Sequence, residues 1–236
     1  MRTVNGVIFD LDGTLIDSLD AYSLAFNRVA ERHRLLPLDI RKMADFLNQF
    51  ISLDQVLQRL YPEFTAEGRG LFMEEMRNEF ISLSKDYITL QPYAKEVLGE
   101  LRGHGMKIGV ATGRMSVGNA KWRELRHLQI DNLVDTVVTA GETKPKPDPA
   151  ALIKCALDLG LSLAECVFVG DSRADIIAAR SAGVPVIAIS TGVASMEELA
   201  SEGPHHIIES LAMLPAQIES MCPGSFLERS HVPGHA

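Results

Sequence analysis

Short runs of apolar residues punctuate the chain at 4–9, 107–111, 134–138, 167–169 and 186–189. They are rich in Val and Ile, and most lack strict alternation of apolar and polar positions. Strands covered on both faces read this way. Between most of these runs apolar positions return at helical spacing, over about 93–102, 116–128, 149–159 and 173–182. Strands alternating with helices predict a parallel sheet with helical crossovers. The punctuation agrees: Asp148-Pro149 reads as an N-cap followed by a first-turn proline. Ser162 with Glu165 and Ser195 with Glu198 have capping-box spacing, and Gly103, Gly160 and Gly183 fall where helices should stop.

The first interval breaks the rhythm. Between the first two strands the segments 19–36, 39–48, 53–60 and 66–87 all read as helix, with Ser52 and Thr65 as caps and Pro37 and Pro62 as breaks. One crossover helix needs far fewer residues. The expectation is an α/β protein with a Rossmann-like core formed by 1–15 and 89–221. A wholly helical domain is inserted at 16–88, and 222–236 form a loose, polar tail.

Composition narrows the function classes. Hydrophobic residues make up 46% of 236 and charged residues 23%, which excludes wholesale disorder. A net charge of −8 lacks the basic face a nucleic-acid binder needs. No apolar run approaches the ~18 residues of a membrane helix. The short apolar stretch near the N-terminus is interrupted by Asp10 and Asp12, unlike a signal peptide. Cys155, Cys166 and Cys222 are widely spaced and form neither a zinc pattern nor a disulfide framework, as expected of reduced thiols in a cytoplasmic protein.

Ligands of open parallel sheets bind outside the carboxyl ends of the strands. After the first run comes Asp10-Leu11-Asp12-Gly13-Thr14, and after the second Thr112-Gly113-Arg114. Lys144-Pro145-Lys146-Pro147-Asp148 follows the third, and Gly170-Asp171-Ser172-Arg173-Ala174-Asp175 the fourth. Asp10, Asp171 and Asp175 would converge, and three carboxylates do not sit together ionised without a cation. Oxygen-only ligands favour a hard ion such as Mg²⁺. Lys146, the Thr112 hydroxyl and nearby backbone N–H groups such as that of Gly113 suit phosphate oxygens. Asp10 fits a nucleophile, and Asp12 a group that protonates the leaving alcohol and then activates water.

These four motifs, in this order, resemble the haloacid dehalogenase superfamily. The resemblance covers residues 1 to about 220 and includes the insert, which looks like the family's first-type cap. The stretches KPDPAALIKCALDLGL and VGDSRADIIAARSAGVPVIAI are similar to phosphoglycolate phosphatases within it. The resemblance implies Asp10 as nucleophile and Asp12 as acid and base. It implies Mg²⁺ held by Asp10, the Asp12 carbonyl and Asp171 with Asp175 nearby, and phosphate held by Thr112 and Lys146. The implied partner is a small phosphorylated metabolite. Gly113-Arg114 departs from the Asn-Lys of many such phosphatases, which leaves the substrate open.

Competing readings are plainer. Lys144, which also precedes a proline, is the alternative phosphate lysine. Arg114 faces either substrate or solvent. Arg28, Arg32 and Arg41 form a solvated face or supply one substrate contact. His205-His206 open a strand on opposite faces and hold no shared metal, and Trp122 is a packing residue. A phosphomutase, a pyrophosphatase or nucleotidase, a metal-free dehalogenase and a silent binding module remain as rival functions. Nothing in the sequence chooses between monomer and homodimer.

Overall fold

The computed structural model describes residues 3–48 and 51–223. Six parallel strands form the main sheet: β1 (Gly6–Phe9), β4 (Lys107–Thr112), β5 (Thr136–Thr139), β6 (Cys166–Gly170), β7 (Val186–Ile189) and β8 (His206–Ile208). Their order across the sheet is β5-β4-β1-β6-β7-β8, so β1 is central, with Ile8 paired to Gly109 on one side and Phe168 on the other. The chain runs outward from β1 to β4 and β5, then returns to β6 on the opposite side. Such a reversal opens a crevice at the carboxyl ends of the strands flanking it.

The apolar runs lack alternation because both faces are covered. Val7 and Phe9 join Ile108, Val110, Val137, Val169 and Ile187 in one core. Against that face pack α5 (Ala94–Gly103), α6 (Arg123–His127) and α10 (Leu214–Met221), through Leu98, Leu125 and Leu214. Ile8 points the other way and joins Val138, Phe168 and Val186. That face is covered by α7 (Ala150–Asp158), α8 (Arg173–Ala182) and α9 (Met196–Ser201), through Leu152, Ile176 and Leu199.

Between β1 and β4 lie α1 (Leu19–Arg32), α2 (Ile40–Asn48), α3 (Leu53–Leu60) and α4 (Ala66–Tyr87). These helices bury their apolar faces against one another through Ala25, Phe26, Val29, Met43, Leu57, Phe72 and Met76. Phe26 and Phe72 meet edge to face at 5.1 Å. Two short strands, β2 (Ile16–Asp17) and β3 (Thr89–Leu90), pair antiparallel where the chain enters and leaves this helical segment. Neither strand was expected, since two residues carry no periodicity.

Other boundaries shift for local reasons. The helix expected over 116–128 is a 3₁₀ turn, Gly118–Trp122, followed by the short α6; Gly118, at φ +55°, stops a right-handed helix from reaching back to 116. The helix expected over 19–36 stops at Arg32, just before Arg34 at φ 57°. Val134 follows a 3₁₀ turn, Asp131–Leu133, so β5 begins at Thr136. Pro149, not Asp148, holds the N-cap position of α7, while Asp148 Oδ1 still accepts from the Ala150 N–H at 2.9 Å. The Ser162–Glu165 box opens a 3₁₀ turn that runs straight into β6. Cys222, placed in the tail from sequence, is buried in the core. The rest of that tail from 224 onward lies outside the described residues.

Candidate active site

The ends of four strands meet as expected. Asp10 leaves β1 with its N–H donated to Val169 O at 2.8 Å, which holds it beside the end of β6. Asp171 and Asp175 follow that strand, and the three carboxylates offer oxygens within 4.8 Å of one another. Ser172 is the N-cap of α8, so Asp175 lies in its first turn. Asp175 Oδ2 accepts from the Ser172 N–H at 3.0 Å and from Ser172 Oγ at 2.7 Å. The other oxygen, Oδ1, accepts from Lys146 Nζ at 2.6 Å.

Lys146 arrives from the loop after β5. Its ammonium donates to Asp10 Oδ1, to Asp175 Oδ1 and to Ala111 O, the last at 3.1 Å. All three ammonium protons are thereby committed. Lys144, in contrast, is 80% exposed and lies 3.8 Å from Asp148. Burial pushes the Lys146 ammonium pKa down, but the Asp10 and Asp175 charges outweigh this and hold it above its ordinary value.

Burial dominates at the carboxylates. It pushes Asp10 up to about 7, against the pull of Lys146 and with the help of the Asp175 and Asp12 charges. Asp171 is likewise pushed well above the carboxylate range by burial and by Asp10 and Asp175. Thr14 Oγ donates to Asp171 Oδ1 at 2.9 Å, and the Val193 N–H to Oδ2 at 3.3 Å. Three buried carboxylates facing one ammonium leave surplus negative charge, and every offered donor is oxygen. That donor set fits a hard divalent cation such as Mg²⁺.

Asp12 is held apart from this cluster. Its Oδ1 accepts from Ser18 Oγ at 2.6 Å and from Arg114 Nη2 at 2.7 Å, and its Oδ2 from Arg114 Nε at 2.9 Å. Burial pushes its carboxyl up, but Arg114 and Ser18 pull harder, leaving it below the ordinary value. Burial, then the Asp12 charge, push the nearby Tyr22 phenol of α1 up to about 12.

The phosphate candidates are less closely built. Thr112 is buried at the end of β4 and its Oγ accepts from the Arg114 N–H at 3.3 Å, while Gly113 is exposed. The remaining candidates fall elsewhere. Arg28 and Arg32 pair with Glu79, and Arg41 is exposed. Trp122 packs on the core, and His205 Nδ1 accepts from the Val186 N–H at 3.2 Å.

Two features escaped the sequence reading. Sequence alone leaves Arg114 open to substrate or solvent, yet it grips Asp12. The second is the Thr191-Gly192-Val193 turn after β7, which follows an apolar run as the other motifs do. Thr191 Oγ donates to Gly13 O at 2.7 Å. A Cβ on Gly192 would lie 1.6 Å from Asp171 Oδ2, and one on Gly13, at φ +86°, 2.5 Å from the same atom. Both glycines therefore admit the Asp171 carboxylate. Gly192→Ala is expected to cost about 1–3 kcal/mol through overpacking and to displace Asp171. Thermal unfolding with a parallel activity assay checks this; wild-type values in both would contradict the packing argument.

The model of the haloacid dehalogenase-like hydrolases matches residues 7–189, a span that contains all four strand-end motifs. The chain belongs to this hydrolase family. A phosphoglycolate phosphatase from Chromobacterium violaceum is 30% identical over 211 residues, covering 86% of this chain and 92% of that protein. A protein from Caldanaerobacter subterraneus subsp. tengcongensis, provisionally named pyrophosphatase PpaX, is 29% identical over 212 residues, covering 89% and 93%. A crystal structure from Haemophilus somnus, described as a predicted phosphoglycolate phosphatase, superposes with a TM-score of 0.81 at 25% identity. It covers 92% of this chain and 99% of that one. This hydrolase thus shares its fold with that structure over 92% of its length.

Proposed function

We propose that this hydrolase removes phosphate from a small phosphorylated metabolite of the phosphoglycolate type, through a covalent phosphate on Asp10. The observation that carries the reading is the Asp10 carboxylate at the end of the central strand, beside Asp171, Asp175 and Lys146. Asp10, Asp171, Asp175 and the Asp12 carbonyl would hold Mg²⁺, which supplies charge neutralisation at the transferring phosphoryl group. Asp10 attacks phosphorus in line. Asp12 protonates the departing alcohol, then takes a proton from the water that hydrolyses the phospho-aspartate. Thr112 and the Gly113 N–H bind phosphate oxygens. Lys146 exchanges part of its carboxylate contacts for a phosphate oxygen and stabilises the charge that develops there.

Helices α1–α4, in residues 16–88, act as a cap over the strand ends, closing to exclude water and opening for release. The core is then 1–15 and 89–222, with Cys222 inside it. The three cysteines form no disulfide, and no described helix is long and apolar enough to cross a membrane. Both fit the cytoplasm as the place of work.

Phosphate release from a panel of phosphoglycolate, sugar phosphates, nucleotides and pyrophosphate, with Mg²⁺ and with EDTA, tests this reading. Release that needs Mg²⁺ and ranks small phosphate esters first is the expected outcome. A ranking led by pyrophosphate would transfer the substrate assignment to the class named in the PpaX relative. No release from any compound would contradict the phosphatase reading.

A further inference from the structure

Arg114 has no part in the proposed reaction, yet three elements converge on it. Its Nε and Nη2 form a two-point grip on Asp12, at 2.9 and 2.7 Å. Its Nη1 lies 3.1 Å from Oε1 of Glu124, a buried carboxylate in the first turn of α6. Its Cζ lies over the ring of Phe80 on α4, 5.0 Å from the centroid. A cation this enclosed, with only 15% of its side chain exposed, is held in one orientation.

The grip is specific in geometry. A guanidinium fork reaches both carboxyl oxygens at once and so fixes the plane of the Asp12 carboxyl group. A carboxylate offers about four acceptor sites. Ser18 and Arg114 fill both on Oδ1, and Arg114 fills one on Oδ2. One site on Oδ2 is left. In the reaction proposed above, Asp12 acts as the base once the leaving alcohol has departed. In the next step the water oxygen bonds to phosphorus, the Asp10 oxygen–phosphorus bond breaks, and the water proton passes to Asp12.

We propose that Arg114 is a positioning residue for that second half-reaction: its two-point grip fixes the Asp12 side chain in place, with one acceptor site kept for the attacking water. The inference rests on Asp12 acting as the base. It also gives Phe80, from the helical segment, a share in seating the guanidinium.

Pre-steady-state hydrolysis of 4-nitrophenyl phosphate tests this, because its leaving group departs without protonation. Arg114→Lys keeps the charge and loses the fork; Arg114→Gln serves if the lysine variant does not fold. The expected result is a nitrophenolate burst approaching one per active site, then a steady rate at least about tenfold below wild type. Asp12→Asn should show the same pattern with a larger fall. A role in stability alone would lower the unfolding temperature without producing a burst. A variant of Arg114 with wild-type steady rate and no burst, beside an Asp12→Asn that does burst, overturns the inference. An Asp12→Asn without a burst removes the base reading itself, and the inference falls with it.

Discussion

Asp10→Asn leaves a folded protein whose turnover is about 10⁴-fold or more below wild type, the scale of losing a covalent nucleophile. The side chain keeps its size and one acceptor oxygen for Lys146 but loses the atom that attacks phosphorus. The fold should not suffer. Burial raises the Asp10 pKa to about 7, so the folded metal-free protein binds this proton more tightly than the unfolded chain does. The sign follows: ionised Asp10 costs stability progressively as pH rises from about 4 toward 7, and the cost is fully present above that. In EDTA at pH 8 the Asn variant is therefore expected to unfold at or above the wild-type temperature. Phosphate release with parallel thermal unfolding checks both halves. Retained turnover would exclude Asp10 as nucleophile, and a large drop in unfolding temperature would show that its charge serves the fold.

Lys146→Met carries the second large effect and the opposite signature. Its side chain is only 9% exposed and pairs with Asp10 and Asp175. Removing the ammonium leaves buried carboxylates without their cation, which typically costs about 3–5 kcal/mol. For a chain of this length that corresponds to a fall of roughly 10 °C in unfolding temperature. Losing a charge at the transferring phosphoryl group should also lower kcat about 10²–10³-fold. Mg²⁺ should raise the unfolding temperature of this variant more than that of wild type, because the cation restores the missing charge. A Met variant as stable as wild type in EDTA would contradict the electrostatic account of the cluster.

Most of the sheet was legible because burial on both faces leaves uninterrupted Val and Ile runs, as in β1 with Val7, Ile8 and Phe9. The helical insert was legible because residues 10–106 are far too many for one crossover. What stayed hidden was geometry set by single residues. Gly118 breaks a helix that periodicity alone extends, and β2 and β3 are too short to carry a pattern. Within the site, residue types after each strand announced Asp10, Asp171, Asp175 and Lys146, because parallel strands present their ends on one edge. Arg114 was not readable in this way. Its role depends on Asp12, 102 residues away in the chain, and on Phe80 from a helix whose facing residues no spacing rule identifies. Lys146 was expected among phosphate ligands, but a sequence does not show that two carboxylates and a carbonyl already take its three protons.

The central claim is a phosphate carried on Asp10. Wild-type enzyme turning over its best substrate with Mg²⁺ should be quenched, treated with borohydride and digested, and the peptide containing residue 10 read by mass spectrometry. An acyl phosphate reduces to the alcohol, so homoserine at position 10, formed only when substrate is present, is the predicted result. An unmodified Asp10 during active turnover, or reduction at another carboxylate, would contradict the account.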